Sequence, residues 1–162
     1  MIVPAAAYKE EIEKYSDLMR YSKEMMYYNG CQEHGRIYVY TDYTEGNFQW
    51  AILDKNKELV GYIAYRVDYF SSAVYSFGLI RFKDDPKAMA MGILEAIRHI
   101  KKINPLRIEF RAVADNPANS GYQQIIKLMT NYRKVWYHLH YTFKDEEGNY
   151  HDTILYELIK EN

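Results

Sequence analysis

The chain begins with a helical repeat of apolar positions. Between residues 8 and 28 these positions recur every three to four residues, which predicts an amphipathic helix packed on a core. Asn29-Gly30 follows and is a typical helix stop. One face of this predicted helix carries Ile12, Tyr15, Leu18, Met19, Ser22 and Met26.

Alternation of apolar and polar residues then replaces the helical repeat. The alternating segments are rich in β-branched and aromatic residues, and short turns separate them, so each segment is predicted to be a strand. Because the connections are too short for crossovers, these strands are expected to form an antiparallel meander. The segments are 36–43, 48–54, 58–70 and 73–82.

The second half of the chain contains both the helical repeat of apolar residues and the alternation typical of strands. Residues 85–103 repeat apolar side chains at helical spacing, and 106–113 alternate like a strand. A strand that follows a helix that follows a strand favours parallel pairing of 106–113 with 73–82. The pattern ends with a turn, a short helix and two strands, at 114–121, 122–132, 135–145 and 149–160. The expected fold class is α+β, with a sheet of mixed direction.

Composition narrows the range of functions. A length of 162 residues suits one domain, 1–162, and a net charge of −1 offers no basic surface for nucleic acid or an anionic membrane. Cys31 is the single cysteine, which excludes an intrachain disulfide and fits a reducing cytoplasm. No apolar run is long enough for a transmembrane helix, and the first residues do not form a secretory signal. We therefore expect a cytoplasmic protein.

Residues 81–92, RFKDDPKAMAMG, lie where the fourth predicted strand meets the long helix. Asp85 can cap this helix, with Pro86 at its first position. A helix N-terminus after a strand can equally bind a phosphate on its free N–H groups. The sequence leaves both interpretations open.

The order of elements resembles the GCN5-related N-acetyltransferase (GNAT) superfamily, and three passages carry the resemblance. Ile80-Arg81-Phe82 stands at the strand end, with DPKAMA at the family's pyrophosphate-loop spacing. The segment 115–127, DNPANSGYQQIIK, is similar to the family's Asn-x-x-Ala/Ser passage and the short helix after it. The C-terminal EEGNYHDTILYEL is similar to the last hairpin of many members. The N-terminal helix at 8–28 is atypical of the family.

The resemblance implies a central, mostly antiparallel sheet of about six to seven strands and acetyl-CoA as co-substrate. It implies direct transfer of an acetyl group to an amine of a small molecule or protein. Tyr122 would protonate the leaving sulfur, and Glu109 would serve as base. The residues implied to bind the cofactor are Ile80, Phe82, Lys87, Ala88, Met89, Ala90 and Asn116.

Each of these residues also has a structural interpretation. Tyr122 would pack on the short helix, and Glu109 would be an exposed strand residue or a partner of Arg107 or Arg111. In the loop, alanines replace the family's glycines, and Asp85 replaces its arginine or glutamine. Asp85 and its neighbour Asp84 repel phosphate, and nearby lysines offset this repulsion in part.

Two histidines, His138 and His140, alternate on one predicted strand and therefore share one face of the sheet. A third ligand from His151 or Asp152 on the paired strand would make a zinc site. Cross-strand polar pairing is the simpler interpretation and is the one adopted, so no metal ligand is predicted.

Two other functions remain open. A catalytically inactive GNAT-fold protein could bind a peptide, a metabolite or a subunit through the tyrosine-rich segments 36–43 and 61–70. An unrelated α+β protein would lack a splay between strands 73–82 and 106–113. An exposed strand edge or the C-terminal hairpin would allow a homodimer.

Overall fold

The computed structural model describes residues 1–20, 22, 27, 36–42, 44–145 and 147–161, without the side chain of Phe143. A single turn of 3₁₀-helix, Ala5–Tyr8, joins the first strand to the first helix. The elements in chain order are β1 Ile2–Pro4, α1 Lys9–Met19, β2 Asn47–Leu53, β3 Leu59–Asp68, β4 Ala73–Arg81, α2 Pro86–Ile103, β5 Arg107–Val113, α3 Asn119–Lys127, β6 Tyr132–Lys144 and β7 Tyr150–Lys160.

The strands form one seven-stranded sheet in the order β1-β2-β3-β4-β5-β7-β6. Five of the neighbouring pairs are antiparallel, and β4 pairs with β5 in parallel through the α2 crossover. The predictions of an α+β fold, of a mixed and mostly antiparallel sheet, and of parallel pairing between residues 73–82 and 106–113 are therefore confirmed.

Two hydrophobic cores cover the two faces of this sheet. The larger core packs α2 and the end of α3 against β3, β4, β5 and β7, and the smaller one packs α1 against β2 and β3. His99 ties α2 to the sheet, because its Nδ1 lies 2.6 Å from the hydroxyl oxygen of Tyr65 in β3. Burial raises the pKa of Tyr65 to about 12, so this phenol stays neutral.

No helix in the described ranges has both the length and the apolar composition needed to span a membrane.

The predicted strand at 36–43 is wrong for residues 36–42, and Tyr43 lies outside the described residues. The alternation still gives burial correctly, because Ile37 and Val39 are buried. Side chains satisfy the backbone here in place of a neighbouring strand. The N–H of Ile37 donates to Ser16 Oγ at 2.9 Å, and the side-chain amide of Gln49 bonds both the N–H of Tyr40 (2.9 Å) and the carbonyl of residue 38 (2.7 Å).

Several predicted boundaries also change. The first helix ends at Met19, and the stop predicted at Asn29-Gly30 lies outside the described residues. A short strand, Ile2–Pro4, precedes it and pairs with β2. The helix predicted at 122–132 instead spans Asn119–Lys127, because the chain turns into β6 at Tyr132. The helical pattern of 122–132 thus continues for several residues beyond the real helix.

Gly61 in β3 allows the first turn of α2 to lie close to the sheet. A Cβ at this position would lie 2.7 Å from the carbonyl oxygen of Ile80 and 2.6 Å from Sδ of Met89. Because one of these atoms is backbone, we expect Gly61→Ala to lower the free energy of unfolding by about 1 to 2 kcal/mol, measured by urea titration. Gly121→Ala is the matched control, since its Cβ would meet nothing within 4 Å. An unchanged urea midpoint in Gly61→Ala would show that the helix shifts at no cost.

Candidate active site

The parallel strands β4 and β5 separate almost as soon as they meet. Their ladder consists of Ala73 opposite Arg107 and Val74 opposite Ile108. Just beyond it, β4 contains a bulge, in which Ser76 and Phe77 together oppose one residue of β3. Ser76 has a φ of 54°, in the left-handed region. Because a bulge bends its strand, β4 turns away from β5 and a cleft opens between them.

The cleft between β4 and β5 has an empty volume of about 280 Å³, open solvent included. Beyond Val74 the β4 edge that faces this cleft has no ladder partner on β5. Its backbone groups can therefore hydrogen-bond an extended ligand that enters the gap, as strand-like ligands do at sheet edges. The cleft is lined by Tyr27, Phe77, Gly78, Leu79, Phe110, Arg111 and Tyr122.

Tyr122, predicted as the acid, lies at this cleft on the first turns of α3. Its ring meets that of Phe110 edge to face, with centroids 5.8 Å apart. Asn119 fixes the start of α3, because its Nδ2 donates to the carbonyls of Val113 and Ala114 at 2.9 Å each. Asn119 is not among the residues predicted from the sequence, although an asparagine one turn before a candidate tyrosine is a readable signal for a helix anchor.

Asn116, predicted to bind the cofactor, has its side-chain oxygen committed to the local turn. Its Oδ1 accepts the N–H of Ala118 at 2.8 Å, and its backbone carbonyl accepts the N–H of Asn119 at 3.0 Å. The side chain is buried. Asn116 therefore shapes the connection from β5 to α3, and its contact with a cofactor stays a prediction.

Glu109, predicted as the base, lies on β5 beside the cleft but is not among the residues that line it. Its Oε2 lies 3.8 Å from Nη1 of Arg107, which also lies 3.8 Å from Oε1 of Glu157 on β7. The ion-pair alternative from the sequence is thus present in the structure. A base at this position would have to reach the acceptor amine through water.

The predicted cofactor residues at the end of β4 and the start of α2 differ in exposure. Ile80, Ala88 and Met89 are buried, whereas Lys87 and Ala90 are exposed. Phe82 stacks on Tyr15 of α1, with ring centroids 4.8 Å apart. Contact with a cofactor through the buried members would have to use their backbone.

The first turn of α2 already uses most of its N–H groups. Asp85 caps the helix, since its Oδ1 accepts the N–H of Ala88 at 2.9 Å, and its carbonyl accepts the N–H of Met89 at 3.0 Å. Pro86 has no N–H to offer. Among the contacts of the described residues, the N–H of Lys87 is the donor that remains. The capping prediction for Asp85 is confirmed, and the phosphate cradle is left with few donors.

Charges around this helix start cancel one another. Lys83 donates to Oε2 of Glu58 at 2.9 Å, and this bond raises the pKa of the Lys83 ammonium. Nη1 of Arg81 lies 3.1 Å from Oδ1 of Asp84. The remaining pair of opposite charges nearby is Lys87 and Asp85. The site therefore lacks the positive excess that a diphosphate group favours.

His151 ties the closing hairpin to the loop that precedes α3. Its Nε2 lies 2.9 Å from Oδ2 of Asp145 in the hairpin turn, and its Nδ1 lies 3.4 Å from Oδ2 of Asp115 in the loop. These carboxylates, Asp145 first, raise the pKa of His151, and the imidazole lowers the pKa of Asp145. This contact supports the loop that leads to Tyr122.

We expect His151 to stabilise the fold more at mildly acidic pH than at alkaline pH. A histidine whose pKa is raised in the folded state contributes fully below its unfolded pKa of about 6.5 and loses that contribution as pH rises through the folded value. The free-energy difference between wild type and His151→Gln, measured by urea titration from pH 5.5 to 8.5, should shrink as pH rises. His99 works in the opposite direction, because burial lowers its pKa, so the difference between the two proteins is the quantity to follow. A difference that does not change with pH would contradict the assignment.

Comparison with family models and with curated proteins gives no match. No protein-family model matches the chain, and no curated protein gives a significant match.

Comparison with solved structures gives clear fold matches. A spermidine/spermine N-acetyltransferase from Vibrio cholerae in complex with manganese ions superposes with a TM-score of 0.60, at 16% identity over 83% of this chain and 84% of that one. A spermidine N-acetyltransferase from the same organism, in complex with CoA and spermine, has a TM-score of 0.63 at 12% identity over 99% and 95% of the two chains. A probable GNAT-family acetyltransferase from Chromobacterium violaceum has a TM-score of 0.54 at 13% identity over 72% and 60%. This chain has the GNAT fold.

The GNAT fold accounts for the geometry of the cleft. The splay of β4 and β5, with α2 starting at the end of β4, is the arrangement that the resemblance in sequence implied, and the structure contains it. An unrelated α+β fold without this splay is thereby excluded. At these identities the likeness establishes the fold, and the chemistry depends on the residues in the cleft.

Proposed function

We propose that this protein is an N-acetyltransferase that moves the acetyl group of acetyl-CoA directly to an amine. The observation that carries the proposal is the cleft between β4 and β5, with Tyr122 at its wall, in a GNAT fold. An extended thioester arm entering this cleft would meet the unpaired edge of β4. The V. cholerae enzyme of the same fold is bound to CoA and spermine, which supports this choice of co-substrate.

A few groups of the protein would share the steps of acetyl transfer. Backbone N–H groups of β4 near Gly78 and Leu79 would polarise the thioester carbonyl, just before the Ile80–Phe82 segment expected from sequence. The amine nitrogen attacks the carbonyl carbon, the C–S bond breaks, and the Tyr122 hydroxyl gives its proton to the departing thiolate. The proton of the amine leaves through water, with Glu109 as the proposed acceptor.

The acceptor is proposed only as an amine of a small molecule or a protein. Spermine in the V. cholerae complex makes polyamines the first compounds to test. The cationic Arg111 at the cleft wall repels a polycation, so a monoamine belongs in the same panel. An apolar pocket adjoins the cleft behind Phe77, Phe110 and Tyr122, so butyryl-CoA should be tested beside acetyl-CoA.

A second candidate is a GNAT-fold binding protein without turnover. The observation that favours it is the start of α2, where Asp85 occupies the N–H of Ala88 and the surrounding charges cancel. Such a protein would bind CoA weakly or not at all.

One experiment separates the two candidates. Calorimetric titration with acetyl-CoA and desulfo-CoA measures binding, and release of the CoA thiol in the presence of spermidine, lysine peptides or arylamines measures transfer. Binding together with amine-dependent thiol release supports the enzyme. Weak binding without release from any acceptor supports the second candidate, and no binding at millimolar acetyl-CoA contradicts the enzyme and also fits the second candidate.

The proposal also covers where the protein is found in the cell and how it assembles. We propose a cytoplasmic protein without affinity for nucleic acid, because its net charge is −1 and its single cysteine suits a reducing compartment. A homodimer stays a prediction, to be measured by sedimentation. The spermidine N-acetyltransferase of V. cholerae is described as dodecameric, so the measurement should extend to larger assemblies.

A further inference from the structure

Three potential metal ligands meet on the outer face of the closing hairpin, away from the cleft. Nε2 of His138 lies 2.8 Å from Oδ2 of Asp152, and Nδ1 of His140 lies 2.9 Å from the same oxygen. The two imidazole rings stack with centroids 4.7 Å apart. The cross-strand polar pairing predicted from the sequence is present in these contacts.

β6 contains an irregular stretch beside these three side chains. Leu139 pairs with Thr153 and the next pair is residue 143 with His151, so residues 140–142 together oppose Asp152. In regular register His140 would already lie opposite Asp152, and residue 141 would pair with His151, whereas the bulge delays that pair to residue 143. The extra residues of β6 instead fold around the carboxylate.

Tyr141, in the middle of this bulge, has a φ of 55°. The left-handed region costs a non-glycine residue about 1 kcal/mol or more. In this conformation its N–H donates to Oδ1 of Asp152 at 2.8 Å, which holds the carboxylate with Oδ2 toward the two imidazoles. A hydrogen bond that orients a carboxylate in this way is typical of groups that support metal ligands.

Stability does not account for this arrangement. The side chains of His138 and His140 are 52% and 69% exposed, and exposed pairs of this kind contribute little to folding. A bulge also blunts an edge strand such as β6, but that role requires neither histidine nor aspartate.

We propose that His138, His140 and Asp152 bind one divalent transition-metal ion of the zinc type. The ligand atoms all lie within 4.8 Å of one another. Tetrahedral ligands at about 2.0 Å from zinc lie about 3.3 Å apart, so the two imidazole nitrogens, at 2.8 and 2.9 Å from Oδ2 of Asp152, would have to move slightly away from this oxygen to make room for the ion. Two imidazoles and a carboxylate suit zinc, and the exposed side leaves its fourth position to water or to a group of a bound partner.

The test is a titration of tag-free protein with Zn²⁺, followed by competition with a chromophoric chelator. We expect one equivalent to bind and the imidazole ¹⁵N resonances of His138 and His140 to shift on binding. His140→Gln and Asp152→Asn should each weaken binding at least about tenfold. Asp152→Asn keeps an oxygen for the N–H of Tyr141, so the bulge can stay folded. His151→Gln is the matched control, since its nitrogens contact Asp145 and Asp115, and it should bind as wild type.

Other results would overturn the proposal. Binding that is equally tight in His140→Gln would mean that the ion sits elsewhere, for instance at Cys31, which lies outside the described residues. The absence of saturable binding would leave the three side chains as a polar cluster. Because the readout is metal affinity and the imidazole spectrum, neither result depends on acetyl transfer.

Discussion

Tyr122→Phe should lower kcat for acetyl transfer by about a hundredfold, the lower end of what a positioned general acid contributes. The substitution removes the hydroxyl that would protonate the CoA thiolate. It keeps the ring and its edge-to-face contact with Phe110 at 5.8 Å. Because the wall of the cleft keeps its shape, KM for acetyl-CoA should change little. Steady-state release of the CoA thiol, with the best acceptor found, measures both constants.

The matched control is Tyr137→Phe, which removes a hydroxyl from an exposed tyrosine of β6, outside the cleft. It should leave both constants unchanged. If Tyr122→Phe keeps kcat within about threefold of wild type, Tyr122 only packs against Phe110, and the acid must be another group or water. If KM rises and kcat does not fall, the hydroxyl binds substrate instead of giving up a proton.

Much of the sheet could be predicted because its strands carry their own pattern. Strands β2 to β5 and the α2 helix appear near their predicted positions, since alternation and helical repeats reflect burial on one face. Segment 36–43 has the same alternation without being a strand in the described residues 36–42. Its partner is the side chain of Gln49, and a pattern of burial cannot tell a side-chain partner from a neighbouring strand.

The tyrosine-rich segments show the same limit. In GYIAYRVDYF, residues 61–70, Tyr62 and Tyr65 are fully buried, whereas Tyr69 is 54% exposed. This segment therefore offers less surface for a partner than its composition indicates. Tyrosine suits both a core and an interface, so its count alone does not separate the two.

The cleft depends on structural features that no pattern in the sequence predicts. The bulge at Ser76 and Phe77 breaks no visible pattern, because both residues fit an alternating strand, yet it sets the separation of β4 from β5. The sequence pattern likewise predicts a turn at Asn119. The resemblance to GNAT proteins points to Tyr122, and Tyr122 lies at the cleft. Glu109 has a suitable position on the strand, but its carboxylate lies 3.8 Å from the guanidinium of Arg107.

Asp85→Asn should lower the Kd for acetyl-CoA by about tenfold to a hundredfold. The substitution removes the repulsion between the Asp85 carboxylate and the diphosphate, and at a protein surface such a repulsion costs on the order of a few kcal/mol. Asparagine caps a helix as well as aspartate does, so the bond from the N–H of Ala88 is kept while the negative charge is removed. The charges of Arg81, Lys83 and Lys87 would then exceed those of the acids that remain near the helix start. Calorimetric titration at low and at physiological salt measures the change.

Two further variants separate charge from capping. Asp85→Ala removes both the negative charge and the helix cap. If it binds acetyl-CoA as tightly as Asp85→Asn does, the whole gain in affinity comes from removal of the charge. If it binds more weakly, an ordered first turn of α2 also contributes to binding. Lys87→Gln should act in the opposite direction and weaken binding. The gain in Asp85→Asn should shrink as salt rises, since exposed charges are screened within about 10 Å at 0.1 M. An Asp85→Asn protein that binds acetyl-CoA no better than wild type would show that the diphosphate does not approach α2, and the ligand would then have to lie in the cleft without that contact.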